Sequence, residues 1–436
     1  MMNNTGRRGE RVFIRTFGCQ MNMYDSQFIS SALQEIGFIE VDDAQEADII
    51  IVNGCSIRKH AEDRAINWIH RYSRLDNKRI AVIGCLAQNL HDQLREKVEG
   101  IDIICGPDNY NELVDIISGS SREMNLPGRK TDVTYSLTDS YRPDRFSGFV
   151  SITRGCENFC SYCVVPYLRG KLRSKDPSAV ISEILHLEEK GCREITLLGQ
   201  NVLAYKHGDT GFTELLEMIL RESPVERIRF LTSHPRDVRT GLFRIMRDNT
   251  RVCPHIHLPL QAGSDRILKL MKRGYSSGEY LRLLEKARDI LPGLAVTTDI
   301  IVGFPSETED DFSMTMEAVR SSRFDSAFTF IYSPREGTAA WRFPDEVPLE
   351  IKKQRLQRLN QLVMEIRLDI LREQIGKRIK ILLDGTAQRG ENLYFKGRTP
   401  HFRNVLLDCG EVKEGDIVEV TLEKLEKFTF IGKCRR

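Results

Sequence analysis

The chain has 436 residues, with 64 Lys plus Arg against 62 Asp plus Glu and a formal net charge of +2. Hydrophobic residues at 41%, charged residues at 29%, 31 Gly and 15 Pro lie near globular averages, which excludes a collagen, a low-complexity polymer and a wholly disordered chain. The length suits two or three domains, and with so little net charge any polyanion must be met by a local basic surface. The longest apolar runs, such as residues 49–52 and 80–83, fall far short of the roughly 20 residues a membrane helix needs, so no bilayer span is expected. The opening MMNNTGRRGE has no apolar run after its arginines. No secretory signal is therefore expected, and the reducing cytoplasm is the expected compartment.

From Arg11 the pattern alternates strand and helix: RVFIRTFG, a helical Asp25 to Ile36, ADIIIVNG, a helix near Arg58 to Ser73, RIAVIG, a short helix near Leu90 to Val98, IDIICG, and a helix over Tyr110 to Ile117. Short apolar runs separated by helices predict a parallel sheet covered on both faces, an α/β domain over residues 10–118. Residues 119–147 are polar, hold two prolines and show no helical period, as a linker does. A second alternating series places strands at Gly148 to Thr153, Glu194 to Leu198, Arg227 to Thr232, His255 to Pro259, Leu294 to Val302 and Ser326 to Tyr332. The clearest helix between them, Pro177 to Glu189, has Asp176 as N-cap and proline at its first position. A closed eight-unit barrel takes about 250 residues, so six units over 148–375 predict a partial (β/α)6 barrel, ended by a long amphipathic helix at 349–374. From Gly376 the period becomes two, and short strands broken by polar turns predict a small antiparallel β-barrel over 376–436. Residues 372–436 hold 14 Lys or Arg against 10 Asp or Glu.

The 11 cysteines need a use other than disulfides in a reducing compartment. Cys156, Cys160 and Cys163 follow the first strand of the second series with C-x3-C-x2-C spacing, which lets three thiolates from one loop close on one face of an iron–sulfur cube. Three ligands leave one iron open, able to chelate the amino and carboxylate groups of S-adenosylmethionine, at the end of a β/α barrel where active sites sit. A structural zinc loop would want a fourth Cys or His close by, and the nearest later ones are His186 and Cys192. In the first domain Cys19, Cys55 and Cys85 each stand one step past a strand's carboxyl end, so a parallel sheet gathers them at one edge. A second cluster with one vacant iron follows; the alternative is three unrelated buried thiols acting as small hydrophobes. Cys105 reads as core rather than as a fourth ligand, and Cys192, Cys253, Cys409 and Cys434 lack ligand-like spacing.

The segments TFGCQMN, NGCSIR, VSITRGCENFCSYCVVPYLRG and GQNVLAY resemble the methylthiotransferase branch of the radical S-adenosylmethionine enzymes, from Arg11 to about Lys433. Within it they are similar to the MiaB type, the tRNA 2-methylthio-N6-(isopentenyl)adenosine synthases, rather than to the branch modifying a ribosomal protein. The resemblance implies two 4Fe-4S clusters, radical-generating on Cys156, Cys160 and Cys163 and auxiliary on Cys19, Cys55 and Cys85. It also implies two uses of S-adenosylmethionine, a carboxy-terminal TRAM domain that grips RNA, and methylthiolation at C2 of N6-isopentenyladenosine beside the anticodon of tRNA. A flavodoxin-like or ferredoxin-like electron donor and no membrane partner complete the expectation. The chain has Asn53-Gly54-Cys55 where the family usually has Asn-Thr-Cys, and Leu198-Gly199-Gln200-Asn201 where the wider superfamily often has Gly-Gly-Glu for the cofactor's amine. A different tRNA adenosine or a protein side chain as acceptor, and a non-catalytic iron–sulfur RNA sensor, are the competing readings.

Around the expected barrel mouth, Tyr162, Gln200, Asn201, Ser233, His257, Gln261 and Asp299 are the candidates for contacting the cofactor, with His234 and Ser264 beside them. Each is as readily a cap or a loop hydrogen bond. Gly303-Phe304-Pro305 resembles a family turn near the cofactor, and Arg335 is placed to meet a carboxylate or phosphate. In the last domain Arg398 and Arg403, in one turn with His401 and Phe402, and Lys424, Lys427 and Phe428 in another, mix basic residues with aromatics as RNA binding requires.

Overall fold

The computed structural model describes residues 9–57, 59–119, 125–126, 128, 134–137, 146–390, 392–410 and 412–434. The first domain holds β1 (Arg11–Thr16), α1 (Gln20–Glu35), β2 (Ile39–Glu40), β3 (Ile49–Gly54), α2 (Lys59–Tyr72), β4 (Arg79–Gly84), α3 (Cys85–Lys97), β5 (Ile103–Cys105), α4 (Tyr110–Ile117) and β6 (Asn125–Leu126). Its sheet runs β2-β1-β3-β4-β5-β6 with every pairing parallel. All six residues of β3 are buried, as a central parallel strand requires. Two helices begin earlier than expected. Cys19, in extended conformation, caps α1 six residues before Asp25, and Gly84 at φ 85° starts α3 at Cys85 rather than near Leu90, where the helix kinks.

The second domain contains β7 (Ser147–Ser151), β8 (Thr153–Arg154), α5 (Val165–Arg169), β9 (Arg173–Ser174), α6 (Pro177–Glu189), β10 (Glu194–Leu198), the hairpin β11 (Lys206–His207) and β12 (Thr210–Gly211), α7 (Phe212–Glu222) and β13 (Arg227–Phe230). It continues with α8 (Thr240–Asp248), β14 (His255–His257), α9 (Asp265–Leu270), α10 (Ser277–Ile290), β15 (Ala295–Val302), α11 (Glu309–Ser322), β16 (Ser326–Ile331) and α12 (Leu349–Arg372). The six long parallel strands stand in two three-stranded sheets, β7-β10-β13 and β14-β15-β16, which is the partial barrel. Asp176 caps α6 by accepting from the backbone N–H groups of Ser178 and Ala179.

The last domain is a closed barrel of β17 (Arg378–Arg389), β18 (Asn392–Arg398), β19 (Asn404–Asp408), β20 (Ile417–Glu426) and β21 (Thr429–Cys434) in the order β17-β18-β19-β21-β20. Four of its pairings are antiparallel, as expected of this barrel, and β19 and β21 run parallel. Closure needs it, since five strands, an odd number, cannot alternate in direction all the way round a closed barrel.

The first two domains share one core. Val12, Tyr24 and Ile29 belong to the same buried cluster as Val150, Ile195 and Phe230. Part of the polar segment between them is inside: Tyr135 and Leu137 are buried, and Tyr135 C=O accepts from the Tyr24 hydroxyl at 2.7 Å. Most of residues 119–147 lies outside the described residues. No described helix is long and apolar enough to cross a membrane.

Candidate active site

Cys156, Cys160 and Cys163 lie in the loop from β8 to α5. Gly155 enters it at φ 78°, where a Cβ would stand 2.6 Å from the Gly170 carbonyl oxygen and closer still to that of Lys171. Only glycine serves there. The loop is pinned by Cys156 N–H to Gly170 C=O at 3.1 Å, Ser161 N–H to Met271 C=O at 3.0 Å, and Gly155 N–H to Gln200 Oε1 at 2.6 Å. Two donors aim at its sulfurs: Arg273 Nη1 at 3.2 Å from Cys160 Sγ, and Asn158 Nδ2 at 3.5 Å from Cys156 Sγ. Arg273 is held by the Tyr275 hydroxyl at 3.0 Å and the Pro259 carbonyl at 3.2 Å. Burial, and then Cys160, pushes the Cys163 thiol up to about 12.

Cys19, Cys55 and Cys85 gather at the carboxyl edge of the first sheet. Cys19 caps α1 and Cys85 opens α3, so two helix N-termini present their positive ends to sulfur. A Cβ on Gly18, which sits at φ 133°, would come 2.6 Å from Cys55 Cβ, so glycine lets the Cys19 loop close on Cys55. Ile57 N–H points at Cys55 Sγ at 3.4 Å. Burial pushes the Cys85 thiol up, and Arg169, whose Nε lies 3.2 Å from Cys85 Sγ, pulls it back. Cys105 is fully buried and donates within its own turn, to Gly106 and Asn109 carbonyls, in keeping with a core role.

The two trios meet across α5. Val164, next to Cys163, packs with Leu168 and Cys85. Arg169 then reaches Asn22 Oδ1 at 3.1 Å and Asp25 Oδ2 at 2.9 Å, while Arg154 holds Asp25 Oδ1 at 2.9 Å. Among the described residues no three His, Cys, Asp or Glu side chains converge as one metal ion would require. A four-iron cube takes each cysteine on a different iron, so its ligands need not converge as those of zinc must. Three thiols, flanking N–H donors and a glycine that admits the loop fit such a cluster in each case.

The barrel-mouth candidates divide into two groups. Asn201 Oδ1, Ser233 Oγ and Gln261 Oε1, with His234 Nε2, are buried and have no hydrogen-bond partner. Burying a polar atom unpaired is unfavourable, and these four atoms are free to meet a polar ligand. Burial lowers His234 to about 2, and its Nδ1 accepts from Arg236 N–H, so the neutral ring presents Nε2–H as a donor. The others are engaged within the protein. Gln200 holds Gly155, His257 bonds Asp299 at 3.3 Å and Thr297 at 3.0 Å, and Ser264 caps α9 while bonding Asp311. The Tyr162 hydroxyl lies 3.5 Å from Arg273 Nη1. Gly303 donates its N–H to Glu307 at 2.7 Å, and Arg335 reaches back to the Ile57 carbonyl at 3.2 Å, two residues past Cys55.

The RNA candidates of the last domain need correction. Arg398 pairs with Asp384 at 3.0 Å and Arg403 with Asp325 at 2.6 Å, the latter pair only 11% exposed on each side. Their turn is a docking face: Arg227 and Arg229 donate to the carbonyls of Arg398, Thr399 and Pro400, and Phe402 stacks on His255 at 5.4 Å. Phe428 lies under Arg367 of α12 at 4.4 Å. Of that set Phe402, Lys424 and Lys427 are exposed, and Lys424 is paired with Glu426. Arg154, Arg169, Asp25 and Arg273 escaped sequence reasoning because a charged residue beside a loop ordinarily reads as solvated surface. Arg154 and Arg169 did stand inside the quoted cysteine segment, at its two ends.

Residues 150–319 match the family model of the Radical SAM superfamily, and residues 11–106 that of Uncharacterized protein family UPF0004. A relative from Caldicellulosiruptor saccharolyticus, named tRNA-2-methylthio-N(6)-dimethylallyladenosine synthase, is 43% identical, with 98% of this chain and 93% of that protein aligned. A relative of the same name from Thermodesulfovibrio yellowstonii is 40% identical over 98% of this chain and 99% of its own length. Among solved structures, the radical S-adenosylmethionine methyltransferase TsrM from Kitasatospora setae, with cobalamin and a 4Fe-4S cluster bound, is similar with a TM-score of 0.55. It covers 74% of this chain and 75% of its own at 14% identity, a likeness of fold alone. By its near-full-length relatives the chain belongs to the tRNA-2-methylthio-N(6)-dimethylallyladenosine synthase family, radical S-adenosylmethionine methylthiotransferases that work with S-adenosylmethionine and 4Fe-4S clusters.

Proposed function

We propose that this chain attaches a methylthio group to C2 of N6-isopentenyladenosine, the dimethylallyladenosine of its relatives' name, beside the anticodon of tRNA. The observation that carries the reading is the meeting of two thiol trios across α5, where Val164 and Leu168 pack on Cys85 and Arg169 reaches its sulfur. Cys156, Cys160 and Cys163 hold the radical-generating cluster, and Cys19, Cys55 and Cys85 the auxiliary one. When bound, these groups supply a low-potential electron that divides S-adenosylmethionine into methionine and a 5′-deoxyadenosyl radical, and an open iron for the sulfur to be transferred. An adenine C2–H is not acidic, so no side-chain base near neutral pKa can remove it.

The chain's own part is to bind, orient and exclude water. Arg273 and Asn158 direct N–H groups at two of the barrel sulfurs, and Gln200 braces the loop. Asn201, Ser233 and Gln261 offer unpaired oxygens to the cofactor's ammonium or hydroxyls, and His234 offers Nε2–H to its carboxylate. Electrons come from a flavodoxin-like or ferredoxin-like donor in the cytoplasm. Anaerobically reconstituted protein should carry about eight irons, two cubes of four. Cys19→Ala should abolish methylthio product yet retain reductive release of 5′-deoxyadenosine, whereas Cys156→Ala should stop both. Equal loss in both variants would refute separate clusters, and nucleoside mass spectrometry of tRNA from cells lacking the protein would identify the acceptor.

A further inference from the structure

With Arg398 and Arg403 committed to the interface, RNA phosphates need other cations. The first domain holds them in an unusual form. Phe13 and Arg15 share one face of β1 by their period of two, with Phe17 just past its end, and Arg64, Trp68 and Arg71 share one face of α2 at spacings of four and three. β2 pairs only with Arg11 and Val12, so the second half of β1 is left at the sheet edge beside α2. The two faces interleave. The Arg64 guanidinium lies 5.7 Å from the Phe17 ring centre, Arg15 lies 5.9 Å from Phe17 and 5.1 Å from Trp68, and Arg71 lies 4.8 Å from Trp68. Arginine and aromatic ring thus alternate as Arg64, Phe17, Arg15, Trp68, Arg71.

All three arginines are exposed, and none forms an ion pair with a described residue. A guanidinium beside an aromatic face keeps N–H groups free to meet phosphate oxygens in pairs. Asp42 and Asp43 line the adjoining cleft of about 230 Å³ with Arg15 and Arg71, so the anion must lie along the helix side of the row. The row also leads to the chemistry. Phe17 is two residues before Cys19 and donates its N–H to Asn53 C=O at 2.8 Å, and α2 starts four residues past Cys55.

We propose that this arginine–aromatic ladder binds the phosphate backbone of the substrate tRNA's anticodon arm and leads it to the rim of the Cys19, Cys55 and Cys85 site. The proposal rests on the tRNA reading above. An acidic redox protein would also be drawn to arginines, but the row of three arginines without carboxylate partners runs up to the sulfur-bearing trio, where the RNA must arrive.

The test is tRNA binding by the anaerobically reconstituted holoenzyme, measured by fluorescence anisotropy over a series of salt concentrations. In the triple variant Arg15→Gln, Arg64→Gln, Arg71→Gln, affinity at low salt should fall at least about tenfold, and the slope of log K against log salt should flatten by about 2–3, close to 0.7–0.9 per lost phosphate contact. Iron content and RNA-free reductive cleavage of S-adenosylmethionine should be unchanged. If the triple variant does not fold, the single variants should each flatten the slope by about 0.7–0.9. Unchanged affinity and slope would overturn the proposal. So would intact RNA binding with slower reduction by a flavodoxin-type donor, which would give the surface to that protein. Wild-type enzyme that binds no tRNA would overturn the functional reading itself.

Discussion

Asp25 offers the sharpest test of how the two domains are joined. Its side chain is fully buried in α1, with Oδ1 accepting from Arg154 at 2.9 Å and Oδ2 from Arg169 at 2.9 Å and from the Tyr110 hydroxyl at 3.2 Å. Both arginine side chains are 2% exposed. In Asp25→Ala, two buried guanidiniums lose their shared counter-charge, and breaking a buried pair by removing one partner costs about 3–5 kcal/mol. Tyr110 loses an acceptor as well, about 1 kcal/mol more. The expected loss is therefore about 4–6 kcal/mol. The chain has 2 tryptophans, Trp68 in the first domain and Trp341 beyond the barrel. Urea unfolding followed by fluorescence in a Trp341→Phe background therefore reports on the first domain. Asp248→Ala, which removes the exposed Arg247–Asp248 pair, is the control and should be near neutral. Because Arg169 also touches Cys85, Asp25→Ala should release the auxiliary irons first, taking the content from about eight toward about four. A loss below about 1 kcal/mol with full iron content would refute the reasoning, since it would mean that the guanidiniums find other partners or water.

Other outcomes follow from the same geometry. Gly155→Ala should leave the protein folded but unable to load the barrel cluster, read as loss of about half the iron, because a Cβ there meets the Gly170 and Lys171 carbonyls. Cys105→Ala should retain full iron content and both reductive cleavage and product formation; loss of auxiliary iron would make Cys105 a ligand after all. Burial, then Arg403 and Arg229, lowers His401 in the docking turn from its ordinary 6.5 to about 3. The folded state keeps it neutral while the unfolded chain takes a proton below 6.5, so its contribution to stability is present above that pH and is lost as pH falls toward 3. His401→Gln should accordingly flatten the decline in unfolding midpoint between about pH 7.5 and about pH 5, and an unchanged decline would assign the titration elsewhere.

Sequence alone carried both cysteine trios, because their cue is positional: a thiol just past a strand's carboxyl end, repeated at Cys19, Cys55 and Cys85, needs only the strand and helix periods to be read. The parallel first domain, the partial barrel and the long final helix were legible for the same reason, being written in apolar spacing. Helix starts were less so, since α1 and α3 begin on Cys19 and Gly84 through backbone conformation rather than apolar period. What only the tertiary structure decided is the fate of charge. Arg154, Arg169, Arg398 and Arg403 are chemically the same residue as Arg15, Arg64 and Arg71, yet the first four are bound to Asp25, Asp384 and Asp325, while the last three face solvent on aromatic rings. Which arginine meets a carboxylate depends on what a distant segment brings beside it, 129 residues away for Arg154 and Asp25. Local spacing cannot encode that, because the cost of burying a charge is settled only when the partner arrives.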